Sequence, residues 1–522
     1  MRDSRKQFFR QEATRAAIER LASETRITLV VGAGASAEVG LPLWSELVER
    51  LLLRALSPKT DPSSDSYPGA VREAAQKLLR ERGAMEAATM ARAAMGERFP
   101  EELRICLYEW PHKWHWNQPG ATARAVARLY ELMFENGQSC EVLTTNYDLT
   151  LEKAISEESR REAKPMCSDL EDPDGAPVVR HLHGTLSPEG DAEEVALTES
   201  DYHRADAQSL SWQESQLRKR FRDSTVVFIG ASLTDEHLLR YIVRFASEDK
   251  QPIALLIEDP ADGDPIDEHS QPDEIERHCE KLEVARWEHL HLTVLRPGFR
   301  SQPAQFLYEV VHHKASGEAT RYGKRLDEWF RSARVDPFGL LSEESFKASQ
   351  EELQALTAGW LSGLSTVVEE EGYDLSEEAL EVHLWCRCPD RLRLGEAPVS
   401  ATADLTSLAM IGCSDRTWHD PRAMDVRLVT QPSSRAAVDA FCWGTPQIQF
   451  PPGRPKWSWI LATPVVLGED SRFGRLPVGA VTLVSDKDLK ESVLEKLRSE
   501  DPTLLAEIER FLASAAADVL AS

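Results

Sequence analysis

A run of aliphatic and β-branched residues at 27–31, Ile-Thr-Leu-Val-Val, ends directly on Gly32-Ala33-Gly34-Ala35-Ser36-Ala37. Such a run stopping at glycine reads as a buried parallel strand that turns tightly into a helix. The six residues also satisfy the G-x-G-x-x-[GA] pattern, in which bare backbone approaches a pyrophosphate at a helix start. A parallel α/β sheet is therefore the first expectation. Three further strand-like runs end on polar or glycine residues: 141–145 before Asn146, 178–182 before His183-Gly184, and 225–229 before Gly230. Polar groups at the carboxyl ends of strands are where open α/β sheets bind ligands. Runs at 253–257 and 291–295 add strands, a helical pattern at 10–24 precedes the first strand, and a helix near 303–332 closes the segment. An ordinary dehydrogenase places an acidic residue on a second strand about 20 positions past the loop. Here that place holds the amphipathic helical pattern LVERLLLRAL, and helical stretches continue to about 135, a large helical insertion over about 45–135.

The pattern breaks at ARVDPFG, and from 343 a long helix leads to strand-like EVHLWCRC, then to two strands in WSWILATPVVLGEDSRFGRLPVGAVTLVSD and a helix over about 502–521. That order is an α+β module. The 522 residues thus divide into 1–335, a Rossmann-like sheet, and 343–522. Lys plus Arg number 61 against 87 Asp plus Glu, a net charge of −26, which repels nucleic acid and anionic membrane, so neither is an expected partner. Eight cysteines form no CxxC pair, so no disulfide framework, zinc ribbon or other metal is expected. Cys386 and Cys388, on one face of a strand, read as structural thiols. The N-terminus has no apolar core of a leader and no long apolar run follows, so a cytoplasmic location is the expectation.

The string GAGASAEVGLPLW, taken with LTTNYD at 143–148, HLHG at 181–184 and GASLTD at 230–235, resembles the sirtuin superfamily in content and order. It is most similar to the bacterial branch of NAD-consuming anti-phage defence effectors, over about 25–315. The resemblance implies that Gly32, Ala33, Gly34 and Ser36 hold the NAD phosphates. It implies that Asn146 and Asp148 line the nicotinamide and its ribose, that His183 is the catalytic histidine, and that Gly230, Ser232 and Asp235 hold the adenosine side. LTESDYH at 197–203 also looks like this branch. Two departures stand out: Pro42 is followed by Leu43-Trp44 where the deacetylases have Asp-Phe-Arg, and their two zinc-binding CxxC pairs are missing. Both losses remove deacetylase features and leave the nucleotide loop, so the expected reaction is NAD+ glycohydrolysis to nicotinamide and ADP-ribose. NAD enters as substrate.

That chemistry suits the residues. Loss of nicotinamide passes through an oxocarbenium-like sugar, so the site must orient the ribose and place water. Histidine titrates near working pH and can serve as the base; Asn146 can position water or a ribose hydroxyl, and Asp148 can stabilise developing positive charge. The competing reading makes Asn146 and Asp148 caps of the helix that begins LTLEKAI, and for Asp235 capping and adenosine contact stand equal. Trp110, Trp114 and Trp116 read as packing rather than as a stacking platform. Other outcomes for the same NAD site are a deacylase, an ADP-ribosyltransferase, or a non-catalytic NAD- or ADP-ribose-binding regulator. The segment 343–522 resembles a GAF domain through the Pro464 strand and the step Leu476-Pro477-Val478-Gly479. This implies a sensor of a phage-derived or small-molecule trigger, or a dimerisation module in a homo-oligomer.

Overall fold

The computed structural model describes residues 8–60, 67–110, 118–168, 175–190, 192–193, 195–198, 201, 212–233, 235–247, 251–257, 274–317, 322–332, 338, 342–388, 407–420, 423–429, 435–451, 456–487 and 491–521. The first half contains β1 (Arg26–Val31), β2 (Ser139–Thr144), β3 (Lys164–Met166), β4 (Val178–His181), the short β5 (Thr185–Leu186) and β6 (Ala192–Glu193), then β7 (Thr225–Ile229), β8 (Ile253–Leu255) and β9 (Thr293–Leu295). Among the described residues, seven of these form one sheet in the order β3-β4-β2-β1-β7-β8-β9, every pairing parallel. This is the expected Rossmann-like sheet. The expected strands at 253–257 and 291–295 are shorter, and β3, β5 and β6 were not foreseen.

Strand alternation divides the core into two layers. Ile27, Leu29 and Val31 of β1 face the helices Glu12–Ser23, Ala121–Glu135 and Gln302–Ser316. Val30, with Leu143 and Phe228 from its neighbours, faces Leu217, Ile242 and Trp287 from helices on the opposite side. The foreseen insertion therefore divides. Helices Trp44–Leu56, Gly69–Met95 and Phe99–Tyr108 build their own cluster, whereas Ala121–Glu135 lies on the sheet as the crossover into β2, because Ala123, Val126 and Met133 recur on one face. The helix foreseen at 303–332 is two, Gln302–Ser316 and Tyr322–Ser332. No helix among the described residues is long and apolar enough to cross a membrane.

The second half holds β10 (Leu380–Cys388), β11 (Ser407–Cys413), β12 (Val426–Leu428), β13 (Gln447–Gln449), β14 (Trp459–Leu467) and β15 (Leu476–Ser485). Together they form an antiparallel sheet in the order β12-β11-β10-β15-β14-β13. Helix Glu343–Glu370, capped by the Ser342 hydroxyl, packs on β10 and β11; Ala436–Trp443 and Pro502–Ala521 pack on β14. Cys386 and Cys388 are buried in this core, as expected of structural thiols, and burial pushes the Cys386 thiol up to about 12. The core also takes Phe299, Leu326 and Trp329, so the helix Tyr322–Ser332, which the sequence assigns to 1–335, packs with the second half.

The two halves meet through specific contacts. Ser301 N donates to Cys442 O at 2.7 Å, Arg128 pairs with Glu469 at 3.1 Å, and the Arg475 guanidinium sits 4.0 Å above the Tyr308 ring. Thr445 Oγ1 donates to Glu38 O at 2.9 Å, immediately beyond the glycine loop.

Candidate active site

Parallel register brings four strand ends together. Val31 lies level with Thr144 of β2 and Ile229 of β7, and Thr144 with His181 of β4. Gly32, Asn146, His183 and Gly230 therefore leave the sheet at one edge, beside the point where the chain switches from one side of β1 to the other.

The glycines at this edge are required by close approach of backbone. Gly32 N donates to Ile229 O at 2.9 Å, and Gly34 N to Gly230 O at 2.8 Å. A Cβ on Gly32 would lie 2.7 Å from Ala231 Cα, and one on Gly34 2.8 Å from Gly230 O. Gly230 itself has φ +65°, and a Cβ there would lie 2.6 Å from Ala35 N. The Gly34 N–H foreseen for phosphate is thus already given to Gly230. Ala33 opens the short helix Ala33–Ala37, and Ser36, also foreseen for phosphate, is buried with its hydroxyl toward Asn146.

Asn146 is held on three sides. Its backbone N–H donates to Thr144 Oγ1 at 3.0 Å, and its Nδ2 donates to Gly32 O at 3.2 Å and Ser36 Oγ at 2.9 Å. The carbonyl partner fixes which amide atom is nitrogen. Its Oδ1 is then a buried acceptor with no partner among the described residues, on a side chain only 5% exposed. A buried acceptor left unpaired is costly, and a ligand hydroxyl or water would satisfy it. Asp148 is tied into its own turn: Oδ1 accepts from Thr150 N at 3.1 Å and Thr150 Oγ1 at 2.5 Å, just ahead of helix Thr150–Ser159, whose N-cap residue is Leu149.

His183 Nε2 lies 2.7 Å from Asp235 Oδ2, linking the end of β4 to the loop after β7. Asp235 Oδ1 also accepts from Leu238 N at 3.3 Å, so one carboxylate caps the helix Glu236–Phe245 and orients the histidine. Ser232 is exposed, and Leu233 between them is buried at φ +55°, a strained left-handed conformation.

Beneath the edge lies a pair that sequence reasoning missed. His181 is wholly buried, its Nδ1 2.8 Å from Asn146 O and its Nε2 2.6 Å from Glu152 Oε1. Burial alone would lower its pKa, but the Glu152 charge and hydrogen bond outweigh burial and raise it. His181 therefore pins the peptide of Asn146. The signal was present in HLHG, whose first histidine falls on the strand itself. Glu38 is a second omission: its carboxylate oxygens take Thr122 N at 2.8 Å and Thr122 Oγ1 at 2.5 Å, fixing the start of helix Ala121–Glu135. Burial pushes the Glu38 carboxyl up to about 8, against the lowering pull of Thr122, Arg300 and Arg475.

The helical insertion supplies a wall. Tyr147 packs in its cluster and donates to Ala196 O at 2.8 Å, while Tyr108 donates to Leu186 O at 2.6 Å. Within LTESDYH, Asp201 accepts from Thr198 N and pairs with Arg92 of the insertion; residues 199, 200, 202 and 203 lie outside the described residues. Trp110 stacks on Tyr67 at 5.6 Å, in keeping with packing, and Trp114 and Trp116 lie outside the described residues.

The chain is a parallel α/β protein whose polar residues gather at one carboxyl edge, the place where open sheets of this class take ligands. Residues 140–292 match the family profile described as "SIR2-like domain". The match takes in Asn146, Asp148, His183, Gly230, Ser232 and Asp235, and leaves out the glycine loop at 32–37. A search of curated proteins finds no match. Among solved structures, the chain resembles one titled "Structural Basis for the Mechanism and Regulation of Sir2 Enzymes", at 13% identity and TM-score 0.29, over 59% of this chain and 99% of that one. It also resembles a "SIR2 homolog-NAD complex", at 14% identity and TM-score 0.28, over 58% of this chain and 94% of that one. Both superpositions are loose.

Proposed function

We propose that the chain is an NAD+ glycohydrolase, releasing nicotinamide and leaving ADP-ribose. The observation that carries this reading is the His183–Asp235 pair, standing at the same sheet edge as the unsatisfied Asn146 amide oxygen. A carboxylate on one imidazole nitrogen fixes the ring and its tautomer, which suits His183 to take a proton from water or from a ribose hydroxyl. Asn146 Oδ1 would accept from that hydroxyl or water, with its position set by Gly32, Ser36 and the His181–Glu152 pair beneath. As the glycosidic bond lengthens and positive charge grows on the ribose, nicotinamide departs neutral with the bonding electrons and water adds to the sugar carbon. Asp148, tied to Thr150, keeps the turn in place. The absence of CxxC pairs supports hydrolysis over deacylation.

The resemblance extends the proposal to anti-phage defence, with the 343–522 module as a GAF-like sensor or assembly element in a cytoplasmic homo-oligomer. The Thr445–Glu38 contact supports a link from that module to the glycine loop. The test is incubation of purified protein with NAD+, with nicotinamide and ADP-ribose as readouts. His183→Ala and Asn146→Ala are each expected to slow release by about a hundredfold or more, the first with unfolding little changed and the second with a loss of about 1–3 kcal/mol, because Asn146 is buried and its amide holds Gly32 O and Ser36 Oγ. Unaltered turnover in either would overturn the assignment, and NAD binding without turnover under any trigger would favour the regulator.

A further inference from the structure

The expectation that the chain holds no metal rested on its lack of CxxC pairs, and a different donor set lies in the second half. On β10, Glu381 and His383 are two residues apart and so share a face. Cys413 of β11 is the direct cross-strand partner of His383. Pairing on an antiparallel ladder thus gathers a carboxylate, an imidazole and a thiol from only two strands. His383 Nε2 lies 3.0 Å from Glu381 Oε2, Cys413 Sγ lies 3.7 Å from the same oxygen, and the three donor atoms fall within 4.8 Å of one another. A tetrahedral zinc, with nitrogen and oxygen at about 2.0–2.1 Å and sulfur at about 2.3 Å, has donor-to-donor edges of roughly 3.3–3.7 Å. The two edges to Glu381 Oε2, 3.0 and 3.7 Å, already lie close to that range, and the His383–Cys413 edge is no longer than 4.8 Å.

The surroundings also fit. All three residues are buried, yet Glu381 lines a cleft of about 470 Å³ together with Ser414, Asp415, Lys456, Trp457 and Asp486. That cleft offers an entry path and a fourth coordination position. Lys456 already places its ammonium 2.7 Å from Glu381 Oε1, so the outer carboxylate oxygen attracts a cation from solvent, while Oε2 faces the histidine and cysteine. Trp457 stands edge-on to the His383 ring at 6.2 Å and walls the site on that side.

We propose that Glu381, His383 and Cys413 form a binding site for a zinc-class divalent cation, whose fourth position opens to the cleft for water or an anionic ligand. Binding releases to solvent the thiol proton of Cys413 and any proton held on the ligating nitrogen of His383, and involves no redox change. Lys456 is a competing charge: it stays on the outer oxygen and weakens the ion's hold.

The experiment titrates metal-stripped full-length protein with Co2+, following thiolate-to-cobalt charge-transfer absorption, then displaces cobalt with Zn2+. One cobalt per chain is expected, with the thiolate band present in wild type and absent from Cys413→Ser and His383→Gln. Lys456→Met, at a largely exposed side chain, should tighten binding about tenfold or more. This variant reads the site without disturbing the core, should either buried substitution fail to fold. A folded wild type with no thiolate band at saturating cobalt overturns the proposal. So does a band undiminished in Cys413→Ser, or an affinity indifferent to Lys456→Met. The readout is independent of NAD turnover.

Discussion

Glu38 keeps its proton because it is buried, and that gives the protein a pH dependence with a definite sign. Its carboxyl sits at about 8 when folded against 4.5 in the free chain. Between those limits the folded state holds a proton that the unfolded state gives up. The contribution to stability is full below about 4.5, falls as pH rises, and is gone above about 8, at most about 5 kcal/mol in all. Glu38→Gln keeps the shape and an acceptor for Thr122 N but cannot titrate. Melting temperatures of the pair across pH 5–9 should move against wild type as pH rises, and a constant difference would reject the assignment. His181 offers a second test: His181→Ala leaves Glu152 buried without its partner and should cost about 3–5 kcal/mol in chemical denaturation. The positions of Asn146, His183 and Asp235 beyond strand ends were legible because each follows an apolar run in a motif. Glu38 and His181 were not, since their partners lie 84 and 29 residues away in sequence.

The strands of the parallel sheet were legible as elements because a strand covered on both faces is apolar throughout, and few other patterns look like 225–229 or 27–31. Boundaries failed where one residue type serves two surroundings. The alanine-rich helix Ala121–Glu135 looks like its neighbours in the insertion, and only the sheet on one side of it distinguishes it. Strand β10 was visible in EVHLWCRC, but attention to its cysteines passed over Glu381 and His383, whose meaning depends on the register with β11. The glycines of the loop were read as room for phosphate, and their backbone also packs on the end of β7 and on Gly230 and Ala231 beyond it. Gly34→Ala should therefore destabilise the fold by about 1–3 kcal/mol, and Gly230→Ala by more, because its positive φ adds strain to the clash. Denaturant midpoints of the two variants measure this, and wild-type stability in both would show that the loops can separate.

At the scale of the whole molecule, the helix Tyr322–Ser332 ties the two halves together, pairing with Arg10 and Glu309 of the first and entering the core of the second. Leu326 and Trp329 are buried in the second core, and Trp329 Nε1 donates to Leu520 O at 2.6 Å, across 191 residues that no local pattern connects. A chain ending at 340 should consequently expose Trp329 and associate. One ending at 317 should remain more soluble, and light scattering of the two distinguishes this seam from one near 335. The backbone bonds from the loop after β1 to the end of β7 and the glycine beyond it have a mechanical consequence for any ligand taken at this edge, the dinucleotide proposed above included. With Gly32 and Gly34 fastened to Ile229 and Gly230, the floor of the crevice is a stiff hinge plate. Whatever adjustment a ligand demands therefore falls on the side walls, such as the cluster around Tyr147, rather than on that floor.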